Sequence, residues 1–277
     1  MPSDSTIQLP VTKVNEASSS IANDTLASEE PLEIRLKYSA GASLLEKTIS
    51  VTMRTPGDDS ELAIGFLFTE GIISSKEDIQ IKPATAGADK NIIILSLRPG
   101  VNIDIKKLER NFYTTSSCGV CGKTSIDAIK TVCKLSVSKN TNQYPAALIQ
   151  RLPEKLRNEQ DVFKQTGGLH ASALFNAEGK LIMLKEDVGR HNALDKLFGA
   201  ALLAGMMPLN EYILLLSGRI SFELVQKAAM AGIKLITAIG APSSLAVETA
   251  AAFDMTLIGF LSDQRFNIYS GAQRIVI

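Results

Sequence analysis

Apolar and polar positions alternate early in the chain. Leu32, Ile34, Leu36 and Tyr38 are spaced two apart between polar neighbours, and Ile49, Val51 and Met53 repeat the pattern. A period of two is that of a half-buried strand. Pro56-Gly57 then interrupts the run. Glu61 to Glu70 reads as a short helix, with Leu62, Ile64, Phe66, Leu67 and Phe68 supplying apolar surface, and Ile92 to Leu97 reads as another strand. Together these predict a small α+β unit over residues 31–110.

Further along, Ile126, Ile129, Val132 and Cys133 fall at helical spacing, predicting a helix from Thr124 to Leu135 with Thr124 or Ser125 as its cap. Tyr144 to Gln165 reads as helical, with Pro153 where a helix can begin. Ala171 to Phe175 and Leu181 to Leu184 flank the turn residues Asn176-Ala177-Glu178-Gly179, which predicts a hairpin. Helices over 192–205, 222–231 and 245–253 then alternate with strands over 213–216, 235–239 and 256–260. Such alternation implies right-handed parallel crossovers. Beside the hairpin it predicts an α/β fold on a mixed sheet, spanning residues 141–277. Residues 1–30, rich in Ser, Thr, Asn, Asp and Glu, show no periodic apolar face. They read as a disordered arm, with a docking segment as the functional alternative.

Composition narrows the function classes. With 277 residues, 45% of them apolar, the chain suits two modest domains or one large one. Lys+Arg and Asp+Glu balance at 29 each, so no overall field favours nucleic acid or an anionic membrane, and any anion site must be local. No apolar run reaches the ~18 residues of a membrane span. Met1 to Glu30 has no apolar signal core, which predicts a cytoplasmic protein. Three cysteines cannot pair completely within one chain and suit a reducing compartment.

Ligands of open α/β sheets collect outside the carboxyl ends of the parallel strands. Ser217-Gly218-Arg219, Gly240-Ala241-Pro242-Ser243-Ser244 and Gly259 to Arg265 fall there. Arg219 and Arg265 could clamp a phosphate bidentately, helped by the amides of the following helices. Ordinary turn composition would give any one of these segments; three at one edge point to a ligand crevice. Glu186-Asp187-Val188-Gly189-Arg190-His191-Asn192 joins the hairpin to a helix. Asn192 is explained as a cap, whereas Arg190 and His191 are not. His191 and His170, the chain's two histidines, each sit in a polar loop and could equally be structural.

The central feature is Ser116-Ser117-Cys118-Gly119-Val120-Cys121-Gly122-Lys123. Two such thiols can bind metal, cycle as a disulfide or carry sulfur. Zinc usually needs four ligands, only Cys133, His170 and His191 remain, and Cys133 fits a helix core. No permanently bound metal is expected. Lys123 and the N-terminus of the following helix would favour a thiolate. A dithiol oxidoreductase stays open as an alternative, as does a chaperone whose cysteines are structural.

Five ordered segments resemble one family. Thr114 to Gly122, Gly167 to Ala173, Glu186 to Lys196, Ser217 to Ser221 and Arg265 to Tyr269 are similar to the formate dehydrogenase accessory sulfurtransferases of the FdhD/NarQ family, from about Glu33 to the C-terminus. The resemblance implies a cytidine-deaminase-like C-terminal domain with a smaller N-terminal domain, joined by the Cys-x-x-Cys loop and its helix over 111–140. It implies a homodimer that takes persulfide sulfur from a cysteine desulfurase and passes it to bis-molybdopterin guanine dinucleotide, the molybdenum cofactor of formate dehydrogenase. Cys118 matches the family's persulfide cysteine, with Cys121 beside it. Phe260-Leu261-Ser262-Asp263-Gln264-Arg265 matches its cofactor-binding segment.

Overall fold

The structure, a computed structural model, describes residues 5–16, 18–41, 43–80, 90–101 and 142–277. The predicted helix over Thr124–Leu135, with Cys133, lies outside the described residues.

A six-stranded mixed sheet organises the larger unit. Its strands are β8 (His170–Phe175), β9 (Leu181–Asp187), β10 (Ile213–Leu216), β11 (Leu235–Ala238), β12 (Thr256–Gly259) and β13 (Asn267–Ser270), in the spatial order β13-β12-β11-β10-β8-β9. β10, β11 and β12 run parallel, while β8, β9 and β13 pair antiparallel with their neighbours. The parallel strands are buried along their whole length, as strands covered on both faces must be. Leucine and isoleucine dominate them for that reason.

Two helical layers provide the cover. On one face α2 (Ala146–Gln150) and α3 (Leu152–Glu159) seat Ile149, Leu152 and Leu156 against Ala173, Phe175, Leu215 and Ile258. α4 (Asp161–Thr166) follows α3. The predicted continuous helix over 144–165 is therefore three short ones, broken at Arg151 and Gln160, with Pro153 in the first turn of α3. A two-residue strand, β7 (Tyr144–Pro145), precedes α2 and pairs with β14 (Ile275–Val276) near the C-terminus.

On the other face lie α5 (Arg190–Leu203), α6 (Phe222–Met230) and α7 (Ser244–Ala252). Their Leu194, Leu197, Phe198, Val225 and Ala250 share one core with Leu174, Leu214, Ile236 and Leu257 of the sheet. The core continues into the N-terminal unit, built from β3 (Glu30–Ala40), β4 (Ser43–Arg54), α1 (Asp59–Thr69), β5 (Ile79–Gln80) and β6 (Ile92–Leu97). These strands form a sheet in the order β4-β3-β6-β5, with Leu32, Ile34 and Leu36 facing inward as their alternation predicts.

α1 and α5 touch backbone to backbone. A Cβ on Gly65 would sit 1.8 Å from the Asp195 carbonyl oxygen, and one on Gly199 would sit 1.9 Å from that of Glu61. Only glycine permits that approach, so these two mid-helix glycines set the spacing of the two units. Beside the crossing, Lys227 Nζ donates to the Asp195 carboxylate at 2.9 and 3.0 Å and to Thr69 Oγ1 at 2.8 Å. Burial alone would discharge Lys227, but Asp195 and Glu70 outweigh it and keep the ammonium charged.

The expectation of a disordered arm is overturned. β1 (Thr6–Asn15) and β2 (Ser18–Ala27) form an antiparallel hairpin in full register, closed by Ser28 N–H donating to Ser5 O. Ile7, Leu9 and Val11 do stand two apart there, between Thr6, Gln8, Pro10 and Thr12, which is the strand signal the polar composition obscured.

Candidate functional site

The polar segment leaving β9 divides into two parts with different surroundings. Asp187 and Asn192 turn inward. Asp187 is fully buried and pairs with Lys196 Nζ at 2.7 Å. Its carboxylate also accepts the N–H of Thr55 at 3.1 Å, the N–H of Gly189 at 2.8 Å and an amide hydrogen of Asn192 at 3.2 Å. Asn192 Nδ2 donates to Met53 O at 2.7 Å, and Lys196 Nζ to Thr55 O at 2.8 Å. These residues fasten the end of β4 to the start of α5. Asn192 is thus not the cap that its position suggests; Gly189 occupies the N-cap and the helix opens at Arg190. Glu186 accepts the N–H groups of Val162 and Phe163 at the start of α4, and burial pushes its carboxyl up from the ordinary range.

Arg190 and His191, in the first turn of α5, belong to the other part. The structure gathers them with His170, Ser217, Gly218 and Arg219 at the carboxyl edge of the parallel strands. β8 runs antiparallel to β10, so its first residue lies where β10 ends. Ala171 N–H donates to Ser217 Oγ at 2.8 Å and Ser217 N–H to Ala171 O at 3.0 Å, fixing that junction. Gly218 lets the His170 ring lie against the loop, since a Cβ there would meet His170 Nδ1 at 3.0 Å and Arg190 Cδ at 4.0 Å. Burial lowers the pKa of His170, and Arg190, His191 and Arg219 lower it further against the opposing pull of Asp187. Arg190 Nε is buried with no hydrogen-bond partner among the described residues.

The loops behind this cluster are laced by backbone hydrogen bonds. Gly240 N–H donates to Gly218 O at 3.2 Å, Ile220 N–H to Ala241 O at 3.0 Å, Phe260 N–H to Gly240 O at 3.2 Å and Leu261 N–H to Ala238 O at 2.9 Å. Gly240 is required because a Cβ would fall 2.7 Å from the backbone of Gly218 and Arg219. Ser243 Oγ caps α7, accepting from Ala246 N–H at 3.2 Å. The predicted convergence of the three loops is present at this edge.

The segment 260–265 is less uniform than predicted. Leu261 is 1% exposed and packs in the core under α2 and α3, so it is a structural residue rather than a ligand contact. Phe260 is exposed at φ 53°, a left-handed conformation that bulky residues rarely adopt. Ser262 closes the turn by accepting from the N–H of Gln264 and Arg265, and Asp263 and Gln264 are exposed. Arg265 lines a different concavity, an open groove with Gln150, Phe266, Asn267 and Ile277. The structure therefore groups Arg219 with Arg190, and Arg265 stands apart on the β13 side.

Sequence reasoning missed Glu223. It lies at the start of α6, where its Oε2 is 3.9 Å from His191 Nε2, and Ser221 Oγ is 3.4 Å from the same nitrogen. Burial raises the pKa of Glu223, but hydrogen bonds from His191 and Ser221 overcome that and hold it at about 2. The available signal was a serine at the N-cap and an acidic residue in the first turn of α6, which reads as ordinary helix-start composition. Cys118 and Cys121 lie outside the described residues. Among the described residues no three His, Cys, Asp or Glu side chains group to hold a metal, and no helix is long and apolar enough to cross a membrane.

A mixed six-stranded sheet covered by helices on both faces, with Arg190, Arg219, His170 and His191 gathered at one edge, defines an α/β protein of the doubly layered class. Comparison with known proteins makes the class specific. The profile of the FdhD/NarQ family matches residues 27–276, and the chain belongs to that family. Proteins named sulfur carrier protein FdhD are similar along almost the whole length. The one from Streptomyces avermitilis is 47% identical, over 96% of this chain and 94% of its own. That from Sulfurisphaera tokodaii is 40% identical, over 97% and 98%. A crystal structure of a protein described as a formate dehydrogenase accessory protein, from Desulfotalea psychrophila, superposes with a TM-score of 0.75 at 24% identity over 98% of this chain and 100% of that one, which speaks to fold alone.

Proposed function

We propose that the chain carries sulfur. Cys118 takes the outer sulfur of a persulfide from a cysteine desulfurase, whose thiol is released; attack of the Cys121 thiol on Cys118 Sγ then frees that sulfur at the sulfide level for bis-molybdopterin guanine dinucleotide of formate dehydrogenase, leaving a Cys118–Cys121 disulfide that an external thiol reduces. Relatives named sulfur carriers support the first half of this reading. The observation that carries the second half is Arg190 Nε, buried and unpartnered in a cluster that holds a second arginine and two histidines. Buried charged groups are paired in folded proteins. A cluster in which cations outnumber carboxylates and one guanidinium nitrogen lacks a partner fits an anion that arrives from outside, and the pyrophosphate of a guanine dinucleotide is one. Arg190, Arg219, His170, His191 and the Ser217-Gly218 turn would hold that pyrophosphate. The rest of so large a cofactor would extend toward β13, past Phe260, Ser262, Asp263 and Gln264 to the separate groove that Arg265 lines.

The protein is incubated with a desulfurase and cysteine, separated, and assayed for sulfur released by cyanide. Wild type should load close to one sulfur per chain and Cys118→Ala none, with its unfolding curve unchanged. A wild type that binds GDP but never loads sulfur would instead be a chaperone. Full loading of Cys118→Ala would remove that thiol from the role.

A further inference from the structure

We propose that Ser221 and Glu223 are positioning residues that fix the proton of His191 on Nε2, so that Nδ1 is the nitrogen that meets the ligand of the crevice. The inference rests on reading the sheet edge as the anion site and adds the residues that set the state of one of its groups.

His191 Nε2 faces two groups at the start of α6, Glu223 Oε2 at 3.9 Å and Ser221 Oγ at 3.4 Å. Glu223, held at about pKa 2, is an acceptor only at any working pH. A carboxylate beside one ring nitrogen favours hydrogen on that nitrogen, and the serine hydroxyl can accept from it as well. Which nitrogen of a histidine is protonated follows from the bond its other edge makes.

Among the described residues, Glu223 and Ser221 face His191 from the start of α6, Arg190 precedes it on α5, and His170 of β8 and Arg219 of the loop after β10 share its cluster. Among the described residues Glu223 and Asp187 are the carboxylates near this group of cations, and Asp187 is committed to Lys196. Glu223 is the carboxylate left to hold the ring in place. At Nδ1 the neutral ring presents a lone pair to an N–H or S–H group, and the charged ring presents a donor to a phosphate oxygen.

The chain has only two histidines, so nitrogen NMR of histidine-labelled protein resolves both, and His191→Gln assigns them. The wild-type His191 signals should report the Nε2–H tautomer. In Glu223→Gln they should move to a mixture of tautomers, and Ser221→Ala should produce part of the same change. GDP affinity provides the second reading. Glu223→Gln should weaken it roughly three- to tenfold in the wild-type background and leave it unchanged in His191→Gln, because contacting residues couple. An unchanged tautomer in Glu223→Gln, or equal losses in both backgrounds, would overturn the proposal. The NMR readout needs no ligand. A tautomer that shifts in a protein without affinity for GDP would refute the anion site and leave this inference standing.

Discussion

One helix, α5, serves two regions that treat charge in opposite ways. In the seam between the units, Asp187, Asn192, Lys196 and Asp195 are all buried, and each is paired. At the crevice, Arg190 and His191 sit one turn away or less, yet the cations there outnumber the carboxylates and Arg190 Nε has no partner among the described residues. The same seven-residue segment supplies both regions. Partnering rather than polarity or residue type separates a structural polar group from a functional one. A saturated network stabilises by being complete, whereas an unsaturated one stores an affinity that only a ligand can release.

The largest effect should come from breaking the seam. Asp187→Ala strips a buried ammonium of its partner and three hydrogen-bond donors of their acceptor. We expect a loss of about 3–5 kcal/mol in urea unfolding, because removing one partner of a buried pair strands the other charge. Asp187→Leu combined with Lys196→Met should recover part of that loss, but not all, since the N–H groups of Thr55 and Gly189 remain without an acceptor. A loss below about 1 kcal/mol in the single variant would mean that the seam is wet or redundant.

The crevice should respond the other way round. Arg190→Met keeps the aliphatic stem and removes a polar atom that bonds to nothing in the described protein, so unfolding should change by less than about 0.5 kcal/mol. GDP binding, measured by calorimetry, should weaken roughly 10- to 150-fold, the value of one charge-assisted phosphate contact. Lysine should not restore it fully because it lacks the planar fork. A variant that loses stability but keeps its affinity would place Arg190 in the seam and erase the distinction between the regions.

What the sequence made legible follows the same division. Strands such as Ile92–Leu97 and Ile213–Leu216 were readable to the residue because apolar runs between turn signals depend on local order alone. The edge loops were also readable, since strand alternation places the carboxyl ends on one side. The seam was not. Gly65 and Gly199 look like ordinary helix-weakening glycines until each is seen against the other helix. Asp187 and Asn192 read as polar loop residues because Met53 and Thr55, their partners, are more than a hundred positions earlier. Leu261 was carried into the site by its neighbours, although it points into the core. β13 went unread because Asn267–Ser270 is not an apolar run, and β14 because two residues are too short to show a period.

The smallest predicted effect concerns protons. Burial, and then Arg190, keep the His170 pKa below its ordinary value near 6.5. The folded protein therefore holds this ring neutral where the unfolded chain would charge it. Stability contributed by the neutral ring is present above about pH 6.5 and is lost as pH falls through that value. A bound pyrophosphate reverses the balance, because its negative charge offsets the cations that suppress His170. Binding should then take up a fraction of a proton, and affinity should rise as pH falls from about 7.5 to 6, by less than the tenfold per pH unit that one full proton would give. The probe should be a guanosine diphosphate ester such as GDP-mannose, whose phosphates keep a fixed charge over this range. Calorimetry in two buffers of different ionisation enthalpy reads the uptake directly, and His170→Asn should abolish it while leaving most of the affinity. Uptake that persists in His170→Asn would assign the proton to His191, and uptake that is absent from the wild type would show that the ligand does not reach this end of the crevice.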